Sequence, residues 1–180
     1  MKNRSAVLLL SGALLLGVGL SLAADQPAPP PANPLDAVPD KMPFNTPYGA
    51  PISLQRAQSL IQAAIAEASK RGWPINIAVV DSGANLVAFA RMDGAQLASI
   101  QISEHKARAA ATFRRETKAF EDAVQLMKFN YALTLDGIVA SRGGIPLVED
   151  GRLVGAIGCS GGTGSQDEVS AKAGAAVVNK

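Results

Sequence analysis

The sequence is poor in the residues that carry most covalent and metal chemistry. Its 180 residues include one cysteine, one histidine and one tryptophan, and aromatic residues make up 4% of the chain. A single cysteine, Cys159, cannot form an internal disulfide, and paired Cys/His spacings typical of zinc sites are absent. One histidine leaves one candidate base for any nucleophile–base arrangement, and no local signature accompanies it. Disulfide scaffolds and zinc modules are therefore excluded, and we expect Cys159 to be a buried, inert thiol.

Nucleotide-binding signatures are missing as well. Gly158, Gly161 and Gly162 lack the spacing and the strand–helix–strand context of a dinucleotide fingerprint, and no phosphate-binding Walker sequence occurs. Neither an internal repeat nor a heptad pattern is evident.

The N-terminus has the pattern of a secretory signal peptide. Lys2 and Arg4 precede an apolar run over residues 6–20, and small residues follow at 21–24. We expect residues 1–24 to be removed on export, which predicts a periplasmic or secreted protein. The apolar run is short for a membrane span, although an uncleaved anchor stays the alternative.

Export changes the charge balance. The chain has 17 Lys and Arg residues, two of which leave with the signal, and the remaining 15 equal the 15 Asp and Glu residues. The mature chain is therefore close to neutral and lacks the basic character of nucleic-acid-binding proteins.

Residues 25–51 are rich in proline and alanine, which predicts an extended linker. The aromatic-containing part, residues 43–51, is a candidate to dock on the domain or on a neighbouring subunit. Residues 52–180 then form one domain, which is long enough for a core of its own.

Hydrophobic periodicity predicts four helices and two hairpins in this domain. Ser53 caps the first helix, and Gly72 ends it. In the second helix Ala98, Ile102 and His105 belong to an apolar stripe that continues to Ala109 and Phe113. The expected elements, in order, are a helix at 53–72, strands at 75–80 and 86–90, helices at 97–113 and 118–131, strands at 145–148 and 153–157, and a helix at 165–178.

Two predicted helices have stripes of their own. The third should bury Phe120, Ala123, Val124, Met127 and Tyr131, and the last should bury Val169, Ala173, Ala176 and Val177. Because hairpins outnumber βαβ crossovers, the expected fold class is α/β of the α+β kind, with an antiparallel sheet and helices packed against it.

The segment 143–174 joins a hairpin to the last helix. Asp150-Gly151 is a strong turn signal, Ser165 can cap the helix, and the glycine-rich loop 160–164 brings backbone N–H groups near the helix N-terminus. Such a loop suits a carboxylate or phosphate, or it only allows strand and helix to pack closely.

The chain has a set of distinctive motifs: Gly143 to Leu147, the Asp150-Gly151 turn, Val154 to Gly158, Ser160 to Gly162, Gln166-Asp167 with Ala173-Gly174, Ile77 to Asp81 with Gly83 and Leu86, and His105 to Ala107. Together they resemble the GlcG/HbpS-like haem-binding (haem-degrading) family. The resemblance covers residues 52–178. It implies a profilin-like fold, assembly into homo-oligomers, and haem as a cofactor. Arg108 and Ala109 depart from the family, which often has an aromatic residue and a threonine there.

With haem as the expected ligand, His105 is the preferred axial ligand and metal-binding residue, because imidazole is the commonest one. Lys106 and Arg108 are candidates to pair with the haem propionates. Gly161 and Gly162 are candidates for backbone contacts to the cofactor. Covalent c-type attachment is excluded, since the chain has no C-x-x-C-H sequence.

Weaker candidates exist for each role. Arg91 and Arg142 could also meet propionates, and Met92, Met127, Tyr48 and Tyr131 could also reach iron.

Three functions follow as hypotheses. The first is an exported protein for haem capture, sensing or degradation. The second is an enzyme acting on a small organic acid or a tetrapyrrole through the glycine loop and Asp167, with no catalytic residue identified. The third is a ligand-free structural or signalling oligomer.

Overall fold

The computed structural model describes residues 33, 36–42 and 44–179. The predicted signal peptide lies outside the described residues, as does part of the predicted linker. The chain divides into units of residues 1–39 and 40–180. In the first unit, Asp36 donates its backbone N–H to the carbonyl of Asn33. The second unit carries the fold.

The elements follow the predicted order. They are α1 (Leu54–Lys70), β1 (Asn76–Asp81), β2 (Leu86–Arg91), α2 (Ala98–Phe113), α3 (Lys118–Gln125), a 3-10 helix (Asn130–Thr134), β3 (Gly144–Glu149), β4 (Arg152–Ser160) and α4 (Gly164–Ala175). No helix in the part of the chain that the structure describes is long and apolar enough to cross a membrane.

The four strands form one antiparallel sheet in the order β2-β1-β4-β3, which confirms the predicted fold class. Helices α1 and α4 share a core with one face, around Leu60, Ile77 and Ile157. Helix α2 covers the other face, where Ala107 and Ala110 pack against Ala156. The sheet is therefore sandwiched between helices.

Local sequence signals account for several boundaries. The Ser53 hydroxyl accepts a hydrogen bond from the Arg56 N–H and caps α1 as predicted, and Gly72 ends the helix region at φ +66°. Asp150 and Gly151 have φ of +48° and +71°, as the predicted β3–β4 turn requires. Cys159 is fully buried, and burial raises the pKa of its thiol, as expected for an inert residue.

The predicted buried face of α2 is confirmed at Ala109, which is 1% exposed, but it is wrong in the first half of the helix. His105 and Ala98 are exposed and Ile102 is 37% exposed, whereas Ser99, Ser103, Lys106, Ala107 and Ala110 lie against the sheet. The reason is Gly158, whose missing side chain lets the Ser103 carbonyl and the Ala107 backbone approach β4 directly. Close packing favours small and polar residues on this face over large apolar ones.

The third and last helices also differ from prediction. Helix α3 ends at Gln125, Lys128 has a φ of +60°, and Met127 and Tyr131 are about half exposed. Thr163, not Ser165, caps α4 through a capping box with Gln166. The buried face of α4 consists of Asp167, Ser170, Ala171, Gly174 and Ala175 rather than the predicted valine-containing stripe.

The outer edge of β3 has almost no free backbone groups. Gly144 exchanges two hydrogen bonds with Thr117, donating to the side-chain oxygen and accepting from the backbone N–H. Pro146 has no N–H, and its carbonyl accepts from the Asn179 side chain, whose oxygen accepts from the Val148 N–H. Asn179 thus takes the place of a neighbouring strand.

Residues 44–52 dock on the domain, which agrees with the docking hypothesis. Backbone hydrogen bonds join Pro47 and Gly49 to Leu153 at the start of β4. The Tyr48 hydroxyl donates to the Thr112 carbonyl at 2.8 Å, and the Arg115 guanidinium lies 3.1 Å from the centre of the Phe44 ring. This part of the predicted linker is therefore ordered against the end of α2.

Candidate functional site

The exposed face of α2 forms one wall of a pocket. His105 and Arg108 line it from the helix, and Gly137, Ile138 and Val139 line it from the loop before β3. The pocket has a volume of about 280 Å³. Its lining therefore combines an imidazole, a guanidinium and an apolar wall.

Sequence reasoning placed His105 and Arg108 on one helix but missed the opposite wall. Ile138 and Val139 are half-buried, and Gly137 has a φ of +79° in the turn that leads to them. The signal that could have predicted this wall is the apolar pair Ile138-Val139, which lies in a segment otherwise typical of a loop.

The C-terminal end of this loop is anchored by Arg142. Its backbone N–H and its Nε donate to the Glu121 carboxylate at 2.7 and 2.8 Å, and its guanidinium also lies 3.5 Å from Glu168. Hydrogen bonding from Arg142 lowers the pKa of Glu121. Arg142 is thus committed to neighbouring carboxylates, which leaves Arg108 as the guanidinium of the pocket.

Arg108 is held more loosely. It donates to Glu104, one turn earlier on α2, at 3.0 Å, and its side chain is 41% exposed. Exposed ion pairs of this kind contribute about 0–1 kcal/mol, so a carboxylate ligand can compete for Arg108 at small cost.

Lys106 is not part of the pocket. Its side chain is 1% exposed, and its ammonium group donates to Asp167 of α4 at 2.8 Å. The Asp167 side chain is 3% exposed. The structure therefore places Lys106 in a buried ion pair and separates it from His105 and Arg108.

The glycine-rich loop 160–164 contacts the same ion pair. The second oxygen of Asp167 accepts from the Gly162 N–H at 3.0 Å. Burial raises the pKa of Asp167, while Lys106 and the N–H groups of Gly161 and Gly162 act in the opposite direction. The acceptor predicted for this loop is thus a side chain of the protein itself, and Gly161 and Gly162 do not meet the His105 pocket.

Close glycine contacts make room for the pair. A Cβ on Gly143 would lie 2.8 Å from the Asp167 Cβ and 3.2 Å from the Lys106 Nζ. A Cβ on Gly144 would overlap the Lys106 carbonyl and lie 2.6 Å from the Thr117 Cγ2. These two glycines therefore let Lys106 pass the start of β3 and reach Asp167.

The remaining candidates lie elsewhere. Met92 lines a second pocket of about 380 Å³ with Trp73, and Tyr48 lines a third of about 230 Å³ with Thr112. Met127 and Tyr131 are exposed, and neither lines these pockets. Among the described residues, no group of three or more His, Cys, Asp or Glu side chains is arranged to hold a metal ion.

The His105 pocket brings together groups that can hold a ligand. It offers one coordinating nitrogen, one cationic group and an apolar wall. A flat ligand with a coordinating metal and carboxylate groups would match all three features.

Comparison with known proteins agrees with the fold. A family model described as "Haem degrading protein HbpS-like" matches residues 52–176. Protein GlcG of Escherichia coli K12 is 43% identical over 109 residues, which are 61% of this chain and 81% of GlcG.

Solved structures extend the comparison. A double mutant of HbpS from Streptomyces reticuli superposes with a TM-score of 0.68 and 28% identity, covering 80% of this chain and 99% of HbpS. The haem complex of PduOC superposes with a TM-score of 0.65 and 28% identity, covering 72% of this chain and 96% of PduOC. With the family model matching residues 52–176, the chain belongs to the HbpS-like family.

Proposed function

We propose that the protein binds haem non-covalently in the His105 pocket. The observation that carries the proposal is the position of the single histidine, which is exposed beside Arg108 and faces the apolar pair Ile138 and Val139. Two comparisons add support, since the family description names haem and a structural neighbour was solved as a haem complex.

In this proposal each residue of the pocket has a separate task. His105 would hold the iron through a neutral imidazole with a free lone pair. Ile138 and Val139 would form the apolar wall against the macrocycle, and Arg108 would exchange Glu104 for a carboxylate of the ligand. The bound group would supply the redox and light-absorbing properties, while these residues hold and orient it.

The size of the pocket bears on how the haem would be held. Pockets that enclose drug-sized ligands usually measure roughly 300–1,000 Å³. At about 280 Å³, this pocket would enclose part of a haem. The rest would be exposed to solvent or covered by another subunit, which fits a protein that captures and releases its ligand.

The test is a haemin titration of the mature chain, residues 25–180, followed by the Soret band. We expect a stoichiometric shift that is changed in position and weakened in affinity by His105→Ala. Gln101→Ala, one turn earlier on the exposed face of α2, is the matched control. An unchanged spectrum in His105→Ala would refute the ligand assignment, and no stoichiometric shift in the wild type would refute haem binding.

Haem degradation is the second candidate, favoured by the description of the family as haem degrading. Loss of the Soret band under reductant and oxygen, with catalase present to remove free peroxide, would identify a degrading enzyme. A stable band would identify a carrier or sensor. The organic-acid hypothesis finds less support, because Asp167 and the glycine loop are engaged with each other.

Export to the periplasm or the medium, and assembly into homo-oligomers, are further parts of the proposal. The N-terminal pattern of charge, apolar run and small residues supports export. Cell fractionation and the intact mass of the recovered protein test it, with cleavage expected near residue 24.

A further inference from the structure

The two outer edges of the sheet are treated differently by the sequence. On β3, every outward N–H between residues 144 and 148 is bonded or absent, because Thr117, Pro146 and Asn179 cap that edge. The opposite edge is β2, with the sequence Leu-Val-Ala-Phe-Ala-Arg. It contains no proline and no acidic residue.

The register identifies which backbone groups of β2 point outward. Met92 donates its N–H to the Ile75 carbonyl, and the same register pairs Ala90 with Ile77 and Ala88 with Val79. Since hydrogen-bonded pairs alternate along an antiparallel ladder, Phe89 and Arg91 direct their N–H and C=O groups away from β1. Among the described residues, no hydrogen bond reaches these groups.

An open, apolar edge is unusual in a natural sheet. Proteins normally protect such edges with proline, charge, bulges or a covering segment, because free N–H and C=O groups recruit another strand. Here a bulge near Val79 and Val80 alters only the start of β2, and the remaining residues from Ala88 to Arg91 stay regular. The contrast with the capped β3 edge indicates that β2 is kept open for pairing.

We propose that β2 is a homodimer interface, in which two copies pair their β2 strands antiparallel about a two-fold axis. Such an axis uses the same edge on both copies, and two-fold dimers are the commonest closed assemblies. An axis at Ala90 places Phe89 opposite Arg91 of the partner subunit, twice, with outward N–H and C=O groups aligned.

Charge favours this register and this partner. Each Arg91 guanidinium would meet an aromatic ring, which is a favourable cation–π arrangement. An axis at residue 91 would place two Arg91 side chains opposite each other, which is unfavourable. The edge therefore matches a second copy of itself better with the axis at Ala90 than with the axis at residue 91.

The test begins with the mass of the mature chain, residues 25–180, by light scattering and native mass spectrometry. We expect a dimer or an assembly built from dimers. Arg91→Pro removes an outward N–H that the fold does not use, at an edge position where proline is tolerated. By symmetry it deletes two interchain hydrogen bonds, so we expect dimer dissociation to become about tenfold easier.

Two further measurements keep the test decisive if Arg91→Pro does not fold. Arg91→Ala removes the same side chain but keeps the N–H, and it should dimerise better than Arg91→Pro. Ala90→Cys should form an interchain disulfide under mild oxidation, because opposite Cα atoms at a non-hydrogen-bonded pair lie about 4.5 Å apart. Gln55→Cys, exposed on α1, is the cross-linking control.

Each outcome has a defined meaning. Slow hydrogen exchange at the Phe89 and Arg91 amides, together with the Ala90→Cys cross-link, supports the proposal. A monomeric protein, rapid exchange at both amides, or pairing of this edge with a different polypeptide overturns it. An oligomer that survives without the Ala90→Cys cross-link also overturns it. The result does not depend on haem.

Discussion

The Lys106 ammonium donates a 2.8 Å hydrogen bond to Asp167, 61 residues away, with both side chains buried. This pair links the helix that covers one face of the sheet to a helix on the other face. Its neighbour in sequence, His105, is exposed on the opposite side of α2 and lines the proposed haem pocket. Lys106 thus stabilises the interior, while the adjacent His105 lies at the surface.

Replacing Lys106 by methionine should destabilise the fold by about 3–5 kcal/mol, because it leaves the Asp167 carboxylate buried without its cation. The double variant Lys106→Met/Asp167→Asn should be more stable than the single one, since the amide oxygen can still accept from Gly162. Urea denaturation of both variants measures this. Equal stability of the single variant and the wild type would contradict it.

Gly158→Ala should destabilise the protein by about 1–3 kcal/mol or more, because the added methyl would overlap the backbone of α2 at Ser103 and Ala107. The matched control is Gly164→Ala, whose methyl would meet side-chain atoms and no backbone, the nearest being the Arg142 Cγ at 3.0 Å. Thermal unfolding should separate the two variants clearly. If both lose the same stability, close packing of α2 on β4 is not the cause.

The Arg142–Glu121 pair predicts an acid-sensitive contribution to stability. Arg142 lowers the folded-state pKa of Glu121 below its ordinary value of 4.5. The stabilisation is therefore fully present above that value and is lost as the pH falls through the folded-state pKa. The stability difference between the wild type and Glu121→Gln should be largest near pH 7 and shrink below about pH 4.5.

Denaturant titrations at several pH values measure this difference. Arg142→Met should remove the same pH dependence, since it deletes the other half of the pair. A stability difference that stays constant from pH 7 to pH 3 would show that the ion pair is not its source.

Glu104→Gln should tighten haem binding by about two- to fivefold, because it frees Arg108 from an exposed ion pair worth about 0–1 kcal/mol. Arg108→Ala should weaken binding. Both effects should vanish with haem dimethyl ester, which lacks the carboxylates. Competition titrations at low salt measure the affinities, and an effect of Arg108→Ala that persists with the ester would rule out propionate pairing.

Local signals predicted the elements well. The Ser53 cap, the Asp150-Gly151 turn and the alternation of helices and hairpins each depend on neighbouring residues, and the structure confirms them. Helix faces were harder to predict. Buried helix faces usually carry large apolar residues, but glycines on the sheet bring the helix so close that small and polar residues lie there instead. Opposite Gly158 the buried face of α2 is made of serine, lysine and alanine.

The candidate site was also predictable where it depends on neighbouring residues and not where it depends on long-range contacts. His105 and Arg108 are three residues apart, so helical periodicity alone places them together. The pocket that they share with Ile138 and Val139 depends on how the loop returns to α2, and the Lys106–Asp167 pair joins helices on opposite faces of the sheet. Such long-range contacts leave no periodic trace in the sequence.

The Asn179 side chain that satisfies β3 also limits how the protein can polymerise. Strand-by-strand growth of a fibre requires two receptive edges on every copy, one to accept the preceding molecule and one to offer to the next. With Pro146 and Asn179 blocking one edge, this sheet has a single receptive edge among the described residues. Edge-to-edge association must therefore stop after one addition, which protects a chain with an open apolar strand from runaway aggregation.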